Sequence, residues 1–242
     1  MQSSRGRPGV YAANIARFRD RQVNPSQTTD IHQSLERTLS RSRLTRYLAR
    51  CNGDLASALA LYESNVKLSE AFYTPLQCVE VCLRNTIHVR MAATYGTDWM
   101  INGVPPLTES SRTMIAEAIR QLQRSTDQPS TDAIVAELKF AFWVGMLGPR
   151  YDQNLWRLTL YRGFSNGGNR KRSIVHHRFD MIRRFRNRVA HHEPIFERDL
   201  RRTHSEIIEA IGWMCSDTAA WTEHLSRFDE VDAAIELPPL SV

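Results

Sequence analysis

The sequence predicts an all-α protein. From Ile31 onward, apolar residues recur at spacings of three and four over most of the chain, which is the period of an amphipathic helix. No segment shows a sustained two-residue alternation, no hairpin dipeptide joins two apolar runs, and no internal repeat is present. The contents of 42% hydrophobic and 24% charged residues are those of an ordinary globular chain. We therefore expect a single helical domain over residues 31–242.

The first half of the chain predicts a polar arm followed by three helices. Residues 1–30 are rich in Ser, Gln, Asn and Pro, which favours a flexible or loosely docked arm. Two short helices follow, separated by a turn with a helix cap at residues 52–54. A long helix is expected after Pro75, ending near Tyr95 and Gly96.

The second half predicts further amphipathic helices. Thr108 or Ser110 is placed to cap one of them. Residues 127–147 predict a loop, a cap and one apolar helix that ends at Gly148 and Pro149. A basic loop at 165–173 precedes a helix over 174–192, and helical runs at 200–214 and 219–235 complete the chain. The tryptophans of these segments are expected in the core, because each lies in an apolar setting: Trp99, Trp143 and Trp156.

Positive charge is concentrated in one stretch. The whole chain carries 32 Lys and Arg against 26 Asp and Glu, a net charge of +6. Residues 157–188 contain ten basic residues and a single acid, Asp180. The positive charge of this stretch alone therefore exceeds the net charge of the whole chain. Such a concentration favours a polyanionic partner. The absence of an apolar leader or a membrane-length apolar run leads us to expect a cytoplasmic protein that does not bind membranes.

The basic stretch leads into RRFRNRVAHHEPIF, residues 183–196. Pro194 disfavours helical geometry at the preceding residue, so the helix is expected to end at or just after His192, with both histidines in its last turn. There the negative end of the helix dipole favours imidazolium, whereas nearby arginines oppose it. We therefore expect His191 to exchange protons near neutral pH.

Metal and nucleotide sites fit this cluster poorly. A zinc protease motif requires a second histidine three residues after His192-Glu193, where the chain instead continues Pro194-Ile195-Phe196. A structural zinc site made from the pairs at 176–177 and 191–192 is the less favoured alternative, because adjacent side chains point about 100° apart on a helix. No Gly-Lys-Ser/Thr loop is present to bind phosphates. We expect no metal and no other cofactor.

Metal-free cleavage of a phosphodiester is a third chemistry. It requires a base for a ribose 2′-hydroxyl, a cation for the charge on the phosphate oxygens and a polar group that fixes geometry. His191, Arg186 and Asn187 supply these three types. Because Arg186 and His191 would diverge by about 140° on a continuing helix, two copies meeting across a two-fold axis would complete a site. The simpler alternative is a solvated basic helix end that complements the dipole.

The run from Arg186 to His191 resembles the Arg-x(4–6)-His motif, with a polar residue after the arginine, of the HEPN superfamily. Its continuation into His192-Glu193-Pro194-Ile195 resembles the Abi-like (abortive infection) branch. Further segments are similar to other parts of Abi-like proteins, so that the resemblance spans most of residues 44–213: residues 42–85, 95–99 and 156–164.

This resemblance implies a helical bundle that dimerises through the motif helices. Many members are metal-independent endoribonucleases of toxin systems or phage defence. By position, Arg186 and His191 would be the catalytic pair, Asn187 the polar helper and His192 an accessory residue. Glu193 stands where HEPN toxins silenced by a nucleotidyltransferase carry tyrosine, so that form of control is not expected, although an antitoxin or other regulatory partner stays open. Other members bind RNA or signal through a partner without cutting, which is the alternative function.

Two residues of the predicted long helix are accessory candidates, Glu80 and Asn85. The favoured interpretation is structural, with Glu80 paired to Arg84 four residues later. In the alternative, this helix runs along the motif helix, and Glu80 or Asn85 orients the catalytic pair. Phosphate contacts are predicted for five basic residues, with a solvated surface equally compatible: Arg170, Lys171, Arg172, Arg183 and Arg188.

Overall fold

The computed structural model describes residues 25–126 and 128–235, with side chains from residue 30 onward. Every regular element in these ranges is a helix, so the predicted all-α class is confirmed. Residues 1–24 of the predicted arm lie outside the described residues. Helix α1, Pro25–Leu39, already begins within the segment assigned to that arm.

The chain divides into two compact units, and the expected single domain over 31–242 stays a prediction. The first unit is described over residues 25–64. It contains α1, α2 (Arg41–Arg50) and the beginning of α3 (Leu55–Ala71). Tyr47 is fully buried and packs edge-on against Tyr62, with ring centroids 5.2 Å apart. The predicted turn and cap are present, since Asp54 Oδ2 accepts from the Ser57 N–H at 2.8 Å.

The second unit, Asn65–Glu236, is centred on α4, Tyr73–Tyr95. The helix ends at Gly96 with a φ of 89°, which confirms the predicted end. Its apolar face is fully buried at Val79, Leu83, Ile87 and Met91. A Cβ at Gly163 would lie 2.6 Å from Thr86 Cγ2, so the chain approaches α4 more closely there than a side chain permits.

Thr108 caps α5, Glu109–Leu122, which confirms one of the two caps predicted for this helix.

The apolar segment of residues 127–147, predicted as one helix, forms two helices. Helix α6, Thr131–Glu137, stops at Leu138, where the backbone is extended, and α7, Phe140–Gly145, begins after Lys139. The Trp143 indole N–H donates to the Leu138 carbonyl at 3.3 Å, a buried hydrogen bond across the break. A 3-10 turn at Pro149–Tyr151, a π-helical turn at Asp152–Trp156 and a 3-10 turn at Leu160–Phe164 follow.

Helix α8, Arg172–Ala190, carries the motif and is followed by α9 (Leu200–Gly212), α10 (Ser216–Leu225) and α11 (Phe228–Ala233). The apolar face of α8 is buried at Val175, Phe179, Ile182 and Phe185. The tryptophans predicted for the core are buried, as expected: Trp99, Trp143 and Trp156. Among the described residues, no helix is long and apolar enough to cross a membrane.

Candidate active site at the end of helix α8

Helix α8 ends two residues earlier than predicted. Ala190 is its last residue, and His191 is the C-cap. His192 adopts the left-handed conformation with a φ of 56°. Its N–H donates to the Val189 carbonyl at 3.0 Å, and the Glu193 N–H donates to the Arg188 carbonyl at 2.9 Å. This pair of bonds is a Schellman closure, in which a non-glycine residue occupies the position that favours glycine. Both histidines therefore lie exposed just beyond the helix, not within its last turn.

The segment after the motif is anchored in the protein interior. Pro194, Ile195 and Phe196 are buried. The Ile195 N–H donates to Oδ1 of Asn65 at 2.7 Å, and Asn65 is only 2% exposed. Arg188 Nη2 donates to the Pro194 carbonyl at 3.0 Å, and Arg188 Nη1 lies 3.5 Å from Glu193 Oε2. These contacts fix the backbone that carries the histidines.

Arg186 is paired with Glu80 of α4. Glu80 Oε2 lies 3.4 Å from Arg186 Nε, and no ion pair between described residues joins Glu80 to Arg84. The favoured Glu80–Arg84 pairing is therefore wrong, because Glu80 pairs with Arg186 of α8; that Glu80 orients a catalytic group stays a prediction. Phe72, directly before α4, packs edge-on against Phe185 of α8, with ring centroids 4.7 Å apart. The Arg186 side chain remains 41% exposed.

The other candidates near Glu80 differ in their setting. Asn85 is exposed and lies five residues after Glu80, which turns it about 140° away around the helix axis. His88 Nδ1 accepts a hydrogen bond from the Trp99 indole N–H at 3.1 Å. Burial lowers the pKa of His88 from its ordinary value. His88 is thus a neutral acceptor that orients a core tryptophan.

Two arginines in the middle of α8 share one carboxylate of the same helix. Asp180 Oδ1 lies 2.7 Å from Arg183 Nη2, and Asp180 Oδ2 lies 2.9 Å from Arg184 Nε. Burial acts to raise the pKa of Asp180, but the hydrogen bond and charge of Arg183, together with Arg184, outweigh it and lower that pKa. Of these two arginines, Arg184 is much the more exposed.

Arg170, a predicted phosphate contact, closes its own loop. Its Nη1 donates to the carbonyls of Phe164, Asn166 and Gly168. Its guanidinium also lies 4.9 Å from the centroid of the Trp213 ring, a cation–π distance. Among the five predicted phosphate contacts, Lys171 is the most exposed, whereas Arg172 is largely buried beside Asp152.

Three further residues shape this region and were not singled out in the sequence: Asn65, Asp152 and Asp180 as an ion-pair partner. Asp180 could have been found, because it is the one acid of the basic stretch and precedes Arg183 and Arg184 by three and four residues. Asn65 gives no local signal, because its partner Ile195 is remote in the sequence. Asp152 gives none either, because its contacts depend on an irregular turn.

The end of α8 carries an imidazole, a half-exposed guanidinium and an amide, the side chains of His191, Arg186 and Asn187. The carboxylate of Glu80 forms an ion pair with the guanidinium. Within the described residues, no group of three or more His, Cys, Asp or Glu is placed to hold a metal ion. No family model, curated protein or solved structure matches the chain.

Proposed function

We propose that the chain is a cytoplasmic HEPN endoribonuclease of the Abi-like kind, which cleaves RNA without a metal as a homodimer and serves phage defence or a toxin system. The observation that carries the proposal is the end of α8, where Arg186, Asn187 and His191 follow the HEPN pattern and Glu80 pairs with Arg186. The basic stretch before the motif supports a polyanionic substrate.

In the proposed reaction, His191 accepts the proton of a ribose 2′-hydroxyl. The 2′-oxygen forms a bond to the adjacent phosphorus, and the bond from phosphorus to the 5′-oxygen breaks. The leaving 5′-oxygen takes up a proton, so the products are a 2′,3′-cyclic phosphate and a 5′-hydroxyl. Arg186 stabilises the charge that develops on the phosphate oxygens, and Asn187 fixes the geometry of the phosphate.

The pairing of Arg186 supports this role. Glu80 approaches Arg186 at Nε, and the two Nη groups of a guanidinium form a planar edge that suits a phosphate. A carboxylate partner also orders a long side chain before the substrate arrives. The half-exposed position leaves the side chain accessible from solvent.

The test is cleavage of total cellular RNA in EDTA by the parent protein and by Arg186→Ala and His191→Ala. Each substitution should lower the cleavage rate by about 100-fold or more, the typical contribution of one acid–base or charge-stabilising group. Arg184→Ala and His177→Ala remove the same side-chain types from exposed positions of the same helix and should keep near-parental rates. Circular dichroism and gel filtration would check that folding and dimerisation are unchanged.

Three results would contradict the proposal. Cleavage that survives both motif substitutions would place the reaction elsewhere. Equal cleavage of a substrate whose 2′-hydroxyls are replaced by hydrogens would exclude the mechanism. Salt-dependent RNA binding without cleavage by the parent, retained in His191→Ala, would identify a non-catalytic RNA-binding or signalling subunit that acts through a partner.

A further inference from the structure

A basic pocket lies at the opposite end of α8 from the motif. It is a depression open to solvent with a volume of about 500 Å³. Three cations line it, Arg157, Lys171 and Arg172, together with the carboxylate of Asp152. The 19 residues of α8 separate this pocket from His191 by about 28 Å at 1.5 Å per residue. The pocket is therefore distinct from the proposed cleavage site.

The π-helical turn Asp152–Trp156 positions the charged groups of this pocket. The Arg157 N–H donates to the Asp152 carbonyl at 3.0 Å, the five-residue bond that defines such a turn. The Asp152 carboxylate then lies 3.1 Å from Arg157 Nε and 3.3 Å from Arg172 Nε. Arg172 Nη1 also donates to the Leu147 carbonyl at 2.8 Å. One carboxylate thus holds two guanidiniums through their Nε atoms.

The pocket holds more positive charge than its own acid neutralises. Three cations stand against one carboxylate, a net charge of +2. No acid among the described residues pairs with Lys171, whose side chain is exposed. The first turn of α8 contains no acidic residue and instead begins with Arg172 after Lys171. Positive side chains at the positive end of a helix dipole are unfavourable, and a bound anion would relieve that repulsion.

We propose that this pocket binds a terminal phosphate monoester, carried either by an RNA 5′-end or by a free mononucleotide. A monoester phosphate carries a charge of about −1.5 to −2 at pH 7, which matches the pocket, whereas an internal phosphodiester carries −1. Arg157 and Lys171 supply accessible donors, and Arg172 is the ordered cation at the base of the pocket. The Ser173 hydroxyl on the rim supplies a neutral donor. The proposal does not depend on the nuclease function, because it concerns binding alone.

The test uses an octanucleotide with 2′-O-methyl riboses and a 3′-fluorophore, which 2′-hydroxyl attack cannot cleave. Fluorescence anisotropy would compare its 5′-phosphorylated and 5′-hydroxyl forms, and AMP and adenosine would serve as competitors. The phosphorylated form should bind about tenfold more tightly or better, as expected for one or two charge-assisted hydrogen bonds. Arg157→Gln combined with Lys171→Gln should abolish this preference. The control combines Arg124→Gln with Arg150→Gln, which removes the same charge from exposed positions outside the pocket lining. This variant should keep the preference for the 5′-phosphorylated form.

Competition by AMP but not adenosine, lost in the pocket variant, would assign the pocket to a free nucleotide. A preference for the phosphorylated octanucleotide without competition by AMP would assign it to an RNA end. Equal binding of both octanucleotides together with no effect of AMP would overturn the proposal, as would a preference that survives the pocket substitutions.

Discussion

The two ends of α8 both carry arginines, but positive charge interacts favourably with the helix dipole at one end and unfavourably at the other. At the C-terminal end, basic residues agree with the helix dipole, so their presence there is ordinary and says little about function. At the N-terminal end, Lys171 and Arg172 oppose the dipole; Asp152 pairs with Arg172, whereas no acid among the described residues pairs with Lys171. At the C-terminal end, the observation that supports a function is the ion pair of Arg186 with Glu80. At the N-terminal end, it is the excess of positive charge.

The acid partners of the two ends also differ in origin. Asp152 lies 20 residues before Arg172 and reaches it through an irregular turn, whereas Glu80 reaches Arg186 from a different helix. The C-terminal end is therefore the more dependent on tertiary packing. Substitutions of its remote partners should have the larger effects.

The largest effect is expected from Glu80→Gln. The neutral amide would hold Arg186 less firmly, and under the proposed function this loss of alignment should slow RNA cleavage by about ten- to a hundredfold. Glu117→Gln makes the same change at an exposed position of α5 and should leave the rate unchanged. Rates would be measured with saturating RNA, so that a change in binding does not obscure the result. An unchanged rate in Glu80→Gln would reduce the Glu80–Arg186 contact to a surface ion pair.

A large effect on stability is expected from Asn65→Leu. The substitution leaves the buried Ile195 N–H without its acceptor, which should lower the free energy of unfolding by about 1–3 kcal/mol. Urea denaturation would measure the loss. Asn85→Leu, the same change at an exposed position, should stay within about 0.5 kcal/mol of the parent. Equal effects of the two substitutions would show that the anchor of the post-motif segment is not Asn65.

A gain in stability is expected from His192→Gly. At a φ of 56°, a residue with a Cβ is less favourable than glycine by about 1 kcal/mol, so the free energy of unfolding should rise by about that amount. His191→Gly is the matched comparison. His191 has a φ of −91°, where glycine brings no relief of strain and adds entropy to the unfolded chain. Destabilisation by both substitutions would contradict the Schellman closure.

The smallest effect concerns pH at the N-terminal end. Burial, with a smaller contribution from the charge of Arg172, lowers the pKa of His176 from its ordinary value of 6.5. As pH falls through 6.5, the unfolded chain therefore takes up a proton before the folded protein does, so this group's contribution to stability is complete above 6.5 and declines below it. The fall in Tm between pH 7.5 and pH 5.5 should be smaller in His176→Gln than in the parent.

His177→Gln, at the exposed neighbouring position, is the control and should keep the parental pH dependence. A parental fall in Tm in His176→Gln would show that other groups carry the acid sensitivity. His204 is one such group, because burial also lowers its pKa.

The sequence by itself determined the helices and several of their ends. The end of α4 at Gly96, the Thr108 cap and the buried face of α8 were all predicted, because periodicity and caps depend on residues no more than a few positions apart. The helix end near His192 was predicted from Pro194, whose effect on the preceding residue is likewise local.

Only the tertiary structure decided the partners. The sequence pairs Glu80 with Arg84 by local spacing, whereas in the structure Glu80 pairs with Arg186 of α8. The break at Leu138 and the stop at Ala190 also differ from the prediction, although the bonds found there join residues at most five positions apart. The contact of Asn65 with Ile195 joins residues 130 positions apart. Local spacing specifies which residues share a helix face, whereas the charge or buried group that this face meets depends on which helices pack together.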